Sequence, residues 1–130
     1  MNIAKDYPEL KKRADLAVST VMDAVKGSKA VLICTEDGFE VAARVENNAQ
    51  IARLSAMASS LAALGALAGE ESQLGECNSL LMEAAEGFIA ILQVKRDDVS
   101  LIMSVVTGRD AVIGQVFYFS KQAALALQAV

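Results

Sequence analysis

Two cysteines and no histidine limit the chemistry open to this 130-residue chain. Without an imidazole there is no histidine general base, no histidine-activated nucleophile and no histidine ligand for zinc. Cys34 and Cys77 lie in apolar surroundings and lack C-x-x-C spacing, which fits buried free thiols in the cytosol. Asp97 and Asp98 are adjacent carboxylates, but a hard cation needs more oxygen ligands than one such pair supplies. They read as a solvated turn, as do Glu36 and Asp37. Ser59 and Ser60 have no base placed for them by any motif. "GRD" at 108–110 lacks the spacing of a phosphate loop, and no G-x-G-x-x-G follows a strand. The expectation is a binding module with no catalytic residue, no cofactor and no metal. A net charge of −4 argues against a partner surface of nucleic acid or anionic lipid.

The stretch that must carry binding is "IARLSAMASSLAALGALAG", residues 51–69, apolar, alanine-rich and bearing one charge, Arg53. Its length approaches a bilayer span, but alanine, serine and glycine dominate it and no basic cluster flanks it. On a helix, Ile51, Leu54, Met57, Leu61 and Leu64 form one stripe, expected to be the core face. The other side carries Ala52, Ser55, Ala56, Ser59, Ala62, Ala63 and Ala66. This small face suits close approach of a second backbone. It is either packed inside a larger core or set against another copy or a partner, and the short chain favours the second. Arg53 is either a solvated arginine or an interface anchor.

The elements around this helix follow from periodicity and turn residues. Residues 8–26 predict a helix with Pro8 in its first turn, an apolar stripe of Leu10, Ala14, Ala17, Val18, Val21 and Val25, and Gly27 at its end. "KAVLICT" and "FEVAARV" flank Asp37-Gly38, a hairpin signal. Three further strands are expected in "CNSLLME", "GFIAILQVK" and "VSLIMSVV". A last helix is expected from residue 107 onward, capped by Thr107 or Asp110, with Phe117, Tyr118, Phe119, Leu125 and Leu127 on its apolar side. The predicted class is α+β, in the order α-β-β-α-β-β-β-α, with one five-stranded antiparallel sheet and helices on both faces. Residues 1–130 form a single domain on this reading.

These elements carry a resemblance. "AVLICTEDGFEVAARV", the long Ala/Ser/Leu helix from about residue 48 to 71, "NSLLMEAAEGFIAILQV" and "AVIGQVFYFSKQAALAL" resemble the roadblock (dynein light chain) family over residues 5–128. The resemblance rests on ordered elements and turn residues such as Glu86-Gly87 and Gly114, not on a catalytic signature. It implies a dimer in which the long helix and third strand of two subunits pair, extending the sheet. It also implies an adaptor role, and the bacterial branch is similar to cell-polarity proteins that bind and stimulate a Ras-like small GTPase. The expected dimer interface is then Ala52, Ser55, Ala56, Ser59, Ala62, Ala63 and Ala66 with Ser79, Leu80 and Leu81 of the third strand. Arg53, Ser60 and Leu67, beside the seam, are the expected GTPase-binding residues. The function so implied is a cytoplasmic, non-catalytic homodimer that modulates a GTPase's nucleotide cycle or location. Two rival readings are a small-molecule sensor, hinted at by Cys34 and Ser104, and a structural adaptor with no GTPase partner.

Overall fold

The computed structural model describes residues 2–46 and 51–129. The chain opens with a short helix absent from the sequence expectation, α1 (Ile3–Asp6), whose N-terminus is capped by the Asn2 side chain accepting from the Lys5 amide at 3.2 Å. Helix α2 (Pro8–Ala24) starts at proline, which gives up no helical hydrogen bond in a first turn. Its whole expected stripe is buried, from Leu10 at 2% exposure to Val21 at 0%. Strands β1 (Ser28–Thr35) and β2 (Glu40–Val45) form the expected hairpin. Gly38 takes φ +89°, a region closed to most side chains, and the Thr35 hydroxyl accepts from the Phe39 amide at 3.2 Å.

Helix α3 (Ile51–Glu71) follows, then β3 (Ser79–Ala84), β4 (Gly87–Val94), β5 (Leu101–Gly108) and α4 (Ile113–Gln128). Residues 48–50, which the sequence reading includes in the long helix, lie outside the described residues. The strands form one antiparallel sheet in the order β2-β1-β5-β4-β3, so β2 and β3 are its edges. Gly87, the first residue of β4, pairs with Gly108 of β5. A Cβ there would sit 1.9 Å from the Thr107 carbonyl oxygen, so the pairing admits only glycine.

Alternation along the strands sends side chains to two layers. Val31, Ile33, Leu92, Val94, Leu101, Met103 and Val105 join α2 and α4 in the larger core. Cys34, Ile91 and Ile102 face α3 in a smaller one. Each fully buried large aliphatic side chain in these layers contributes about 1.5–3 kcal/mol relative to exposure.

The last helix departs from expectation at its start. Thr107 and Gly108 continue β5, with Thr107 opposite Phe88, and α4 begins only at Ile113 with Val112 as a cap that makes no side-chain bond. Ladder pairing with β4 outweighs the local capping preference of Thr107. Its buried face is Val116, Ser120, Ala124 and Leu127, whereas Tyr118 and Leu125 are 60% and 58% exposed.

Candidate protein-interaction face

Helix α3 packs on the sheet in the opposite sense to the sequence expectation. Its buried residues are Ser55, Ala58, Ala62 and Gly65, which recur at three- and four-residue steps. The physical reason is close approach. A Cβ on Gly65 would meet Cys77 Sγ at 3.0 Å, and one on Gly38 would meet Ala56 Cα at 3.3 Å. Cys34 Sγ donates to the Ser55 carbonyl at 3.7 Å. A leucine stripe does not fit at that separation, so the small residues are spent on the protein's own sheet. Ser55 and Ala62, expected at an intermolecular seam, are 0% and 7% exposed within the single chain. The expected core stripe splits: Ile51, Leu54 and Leu61 are half-buried, while Met57 and Leu64 are 45% and 61% exposed.

The rest of the small face forms a flank. Ala52, Ala56, Ala63 and Ala66 are exposed, and Ser59 is half-buried with its hydroxyl donating to the Glu36 carbonyl. Ser59, Ala63 and Ala66 line an open groove of about 590 Å³ that also contains Glu36, Glu70, Glu76 and Lys95. Lys95 is ion-paired with Glu76. On the other flank Leu54, Met57 and Leu61 border Ile89, Ile91, Ser104 and Val106. Ser104 is 4% exposed and its hydroxyl has no partner. The space beside it is about 20 Å³, room for about one water by volume rather than for a ligand.

Directly opposite the buried stripe runs an exposed ridge. Arg53, Ser60 and Leu67 lie in line on it, and Met57 and Leu64 fill the positions between them. The two leucines and the methionine make it apolar, with Arg53 at one end and Glu71 at the other. Sequence reasoning missed Met57 and Leu64 here because hydropathy assigned them to the core. Their steps of four and three match those of the buried small residues, so period alone does not separate the two stripes.

The third strand is an edge. β3 pairs only with β4, and its Leu80 lies opposite Ile91 beneath α3. Ser79 and Leu80 are half-buried, Leu81 is 39% exposed and Met82 40%. One side of the β3 backbone therefore has no strand partner among the described residues.

Reactive groups are held in structural roles. Burial pushes the Cys34 thiol up to about 11, which suppresses its thiolate. Asp98 accepts from Arg96 through both carboxylate oxygens, at 2.9 and 2.8 Å, and this pairing holds its carboxyl below the ordinary range. The same Arg96 donates to the Leu127 carbonyl near the end of α4. Arg109 donates to the Ala85 carbonyl at 2.9 Å, bracing the β3–β4 turn rather than cradling an anion. Among the described residues, no three His, Cys, Asp or Glu side chains come together as a metal site. α3 is long and apolar enough by composition to cross a membrane, with a mean hydropathy of 1.5, but here it lies along the sheet.

No protein-family model matches the sequence, and no curated protein matches it. Solved structures share the fold. A Roadblock/LC7 domain from Streptomyces avermitilis superposes with a TM-score of 0.79 at 17% identity, over 88% of this chain and 94% of that one. The gliding protein MglB from Thermus thermophilus gives 0.83 at 15% identity, over 95% and 91%. Myxococcus xanthus MglB gives 0.75 at 13% identity, over 95% of each. The chain has the roadblock fold, and the expected α+β architecture with helices on both faces is present.

Proposed function

We propose that this chain is a single-domain, non-catalytic homodimer of the cytoplasm that binds a Ras-like small GTPase and modulates its nucleotide cycle or location. The observation that carries the reading is the exposed ridge of α3, apolar between Arg53 and Glu71 on a roadblock fold. The fold is shared with gliding proteins MglB and, at a TM-score of 0.65, with Myxococcus xanthus MglC. The resemblance drawn from sequence joins that fold to regulation of a small GTPase. Arg53, Ser60 and Leu67, with Met57 and Leu64 between them, supply one cation, one hydroxyl and an apolar strip. That mixture suits a modest, transient interface. The chain presents no phosphate loop, so any stimulation of hydrolysis would come from reshaping the GTPase's own site.

In this reading the dimer joins through the β3 edge, Ser79 to Leu81. The helix contact moves from the small face to the leucine flank of α3 around Leu54 and Leu61, beside the incompletely covered Ile89, Val106 and Met82. Leu80→Pro removes a backbone donor from the edge and is expected to weaken the dimer. The direct test is titration against the small GTPase encoded nearest this gene, loaded with GDP or with a GTP analogue. Tighter binding to one state, weakened by Leu67→Lys, supports the reading, because only differential contacts discriminate two conformations. Equal affinity for both states reduces the protein to an adaptor, and no binding to small GTPases refutes the assignment.

A further inference from the structure

The open groove beside α3 carries charge at both ends and small side chains between them. Its helical wall is Ser59, Ala63 and Ala66, which follow one another at steps of four and three, and Cys77 and Ile102 complete it from the side of the sheet. Glu36 stands at one end, where the Ser59 hydroxyl donates to its backbone carbonyl. Glu70 ends the same wall, about 16 Å further along at the rise of an α-helix. The chain then turns back on itself. Gly69 and Gly75 approach so closely that a Cβ on Gly69 would collide with the Gly75 carbonyl oxygen, which brings Glu76 to the Glu70 end.

The charges do not cancel within the chain. Lys95 is ion-paired with Glu76, whereas neither Glu36 nor Glu70 takes part in an ion pair among the described residues. Glu70 also lies in the last turn of α3, where the helix end adds partial negative charge and no basic residue offsets it. A carboxylate there is unfavourable in the chain alone and becomes favourable once a cation is supplied from outside. Between the two ends, exposed Ala63 and Ala66 project only methyl groups, so a peptide backbone can lie close against them. Gln93 brings an amide able both to donate to and to accept from a peptide group.

Span and shape choose the occupant. The two ends are too far apart to share one small cation. An extended chain rises about 3.3 Å per residue and returns to the same side at every second residue. Basic side chains four residues apart therefore leave one side of it about 13 Å from each other, and the length of lysine or arginine covers the remaining gap. We propose that this groove binds an extended basic segment of a partner protein, its backbone along Ser59, Ala63 and Ala66 and two cationic side chains, four residues apart, at Glu36 and Glu70. The site lies across α3 from the leucine flank assigned to the dimer and apart from the Arg53 ridge. It requires neither the homodimer nor the GTPase of the function proposed above.

Two glycine–serine peptides of equal composition test it, each with two arginines, set four residues apart in one and adjacent in the other. Amide NMR of the isotope-labelled protein at low salt is expected to show the spaced peptide shifting Ser59, Ala63, Ala66 and Gly75. It should bind at least about threefold more tightly than the adjacent one, which reaches a single carboxylate. Glu36→Gln and Glu70→Gln are each expected to weaken the spaced peptide by about threefold to fivefold, the reach of one exposed ion pair, and to remove its advantage. Ala63→Leu obstructs the wall without changing charge and is expected to weaken binding as well. All three positions are exposed, so these variants leave the fold intact. Equal affinity for the two peptides overturns the proposal, as does unaltered binding to any of the three variants. Signal shifts spread over the acidic surface at large, or none at the highest soluble peptide concentration, overturn it too. Spermine, a polycation without a peptide backbone, controls for the occupant. Tighter binding of spermine than of the spaced peptide assigns the groove to a small polyamine and overturns the peptide.

Discussion

Two neighbouring substitutions on α3 are expected to break the usual rule that shrinking a leucine is worse than enlarging an alanine. Ala62 is 7% exposed beneath the helix, and Leu64 is 61% exposed above it. Ala62→Leu forces a branched side chain into a contact close enough that Gly65, one turn on, tolerates no Cβ without moving Cys77. Overpacking of this kind costs about 1–3 kcal/mol. Leu64→Ala removes a side chain that is still mostly in water. A buried leucine so truncated costs about 2–5 kcal/mol, but the exposed one is expected to lose less than about 1 kcal/mol.

Urea unfolding followed by circular dichroism measures both, and an unchanged m-value confines the difference to stability. In heat, Ala62→Leu should melt lower by about 4 °C for each kcal/mol lost. Any dependence of the Leu64→Ala result on protein concentration reports self-association rather than the fold, because oligomer stability follows mass action. The reverse order refutes the packing: a cost of several kcal/mol at Leu64 with neutrality at Ala62 would put the leucine stripe on the sheet.

Two further outcomes concern groups removed from solvent or tied down. Because Arg96 holds the Asp98 carboxyl below its ordinary value of 3.8, the stability it confers is present above that value and is lost as pH falls through the depressed one. Arg96→Ala should return the Asp98 titration toward 3.8, read by carboxyl-carbon NMR; an unshifted curve rejects the pairing. The Cys34 thiol, pushed up to about 11 by burial, should resist a thiol reagent at pH near neutral until denaturant is added, while half-buried Cys77 reacts in the native protein. Equal labelling rates for the two thiols would contradict the burial.

Strong local signals made most of the fold legible. The α2 stripe, the Asp37-Gly38 hairpin and the β4 and β5 runs each combine one clear period with turn residues at their ends, and all are present, though α2 stops at Ala24 and β5 runs from Leu101 to Gly108 rather than from Val99 to Val106. Two kinds of element escaped. Thr107 has the chemistry of a helix cap, but its pairing with Phe88 depends on a partner strand that no local window contains. α1 is four residues long, too short for any periodicity, and only the cap at Asn2 marks it. In the candidate face, Arg53, Ser60 and Leu67, expected beside a small-residue seam, lie instead on one exposed helical line, and Met57 and Leu64 on that same line were expected in the core. Hydropathy ranks leucine above alanine as a core residue and holds no information about how near the helix lies to the sheet.

That separation has an energetic consequence for α3. Its fully buried residues are serine, alanine and glycine, with Leu61 only partly buried against the sheet, whereas α2 and α4 seat Leu10, Val18, Val21, Val116 and Leu127 fully on the opposite face. Hydrophobic stabilisation scales with apolar area removed from water, so α3 is held more weakly to its own domain than either helix across the sheet. Three of its larger apolar groups, Met57, Leu64 and Leu67, are turned outward in one continuous strip of the kind that marks a binding site on a folded protein. A helix arranged to maximise the stability of one chain would have turned about its axis and set those residues on the sheet. The small residues forbid that rotation by drawing the backbone in, and the stabilisation forgone inside the chain becomes available to whatever covers the ridge.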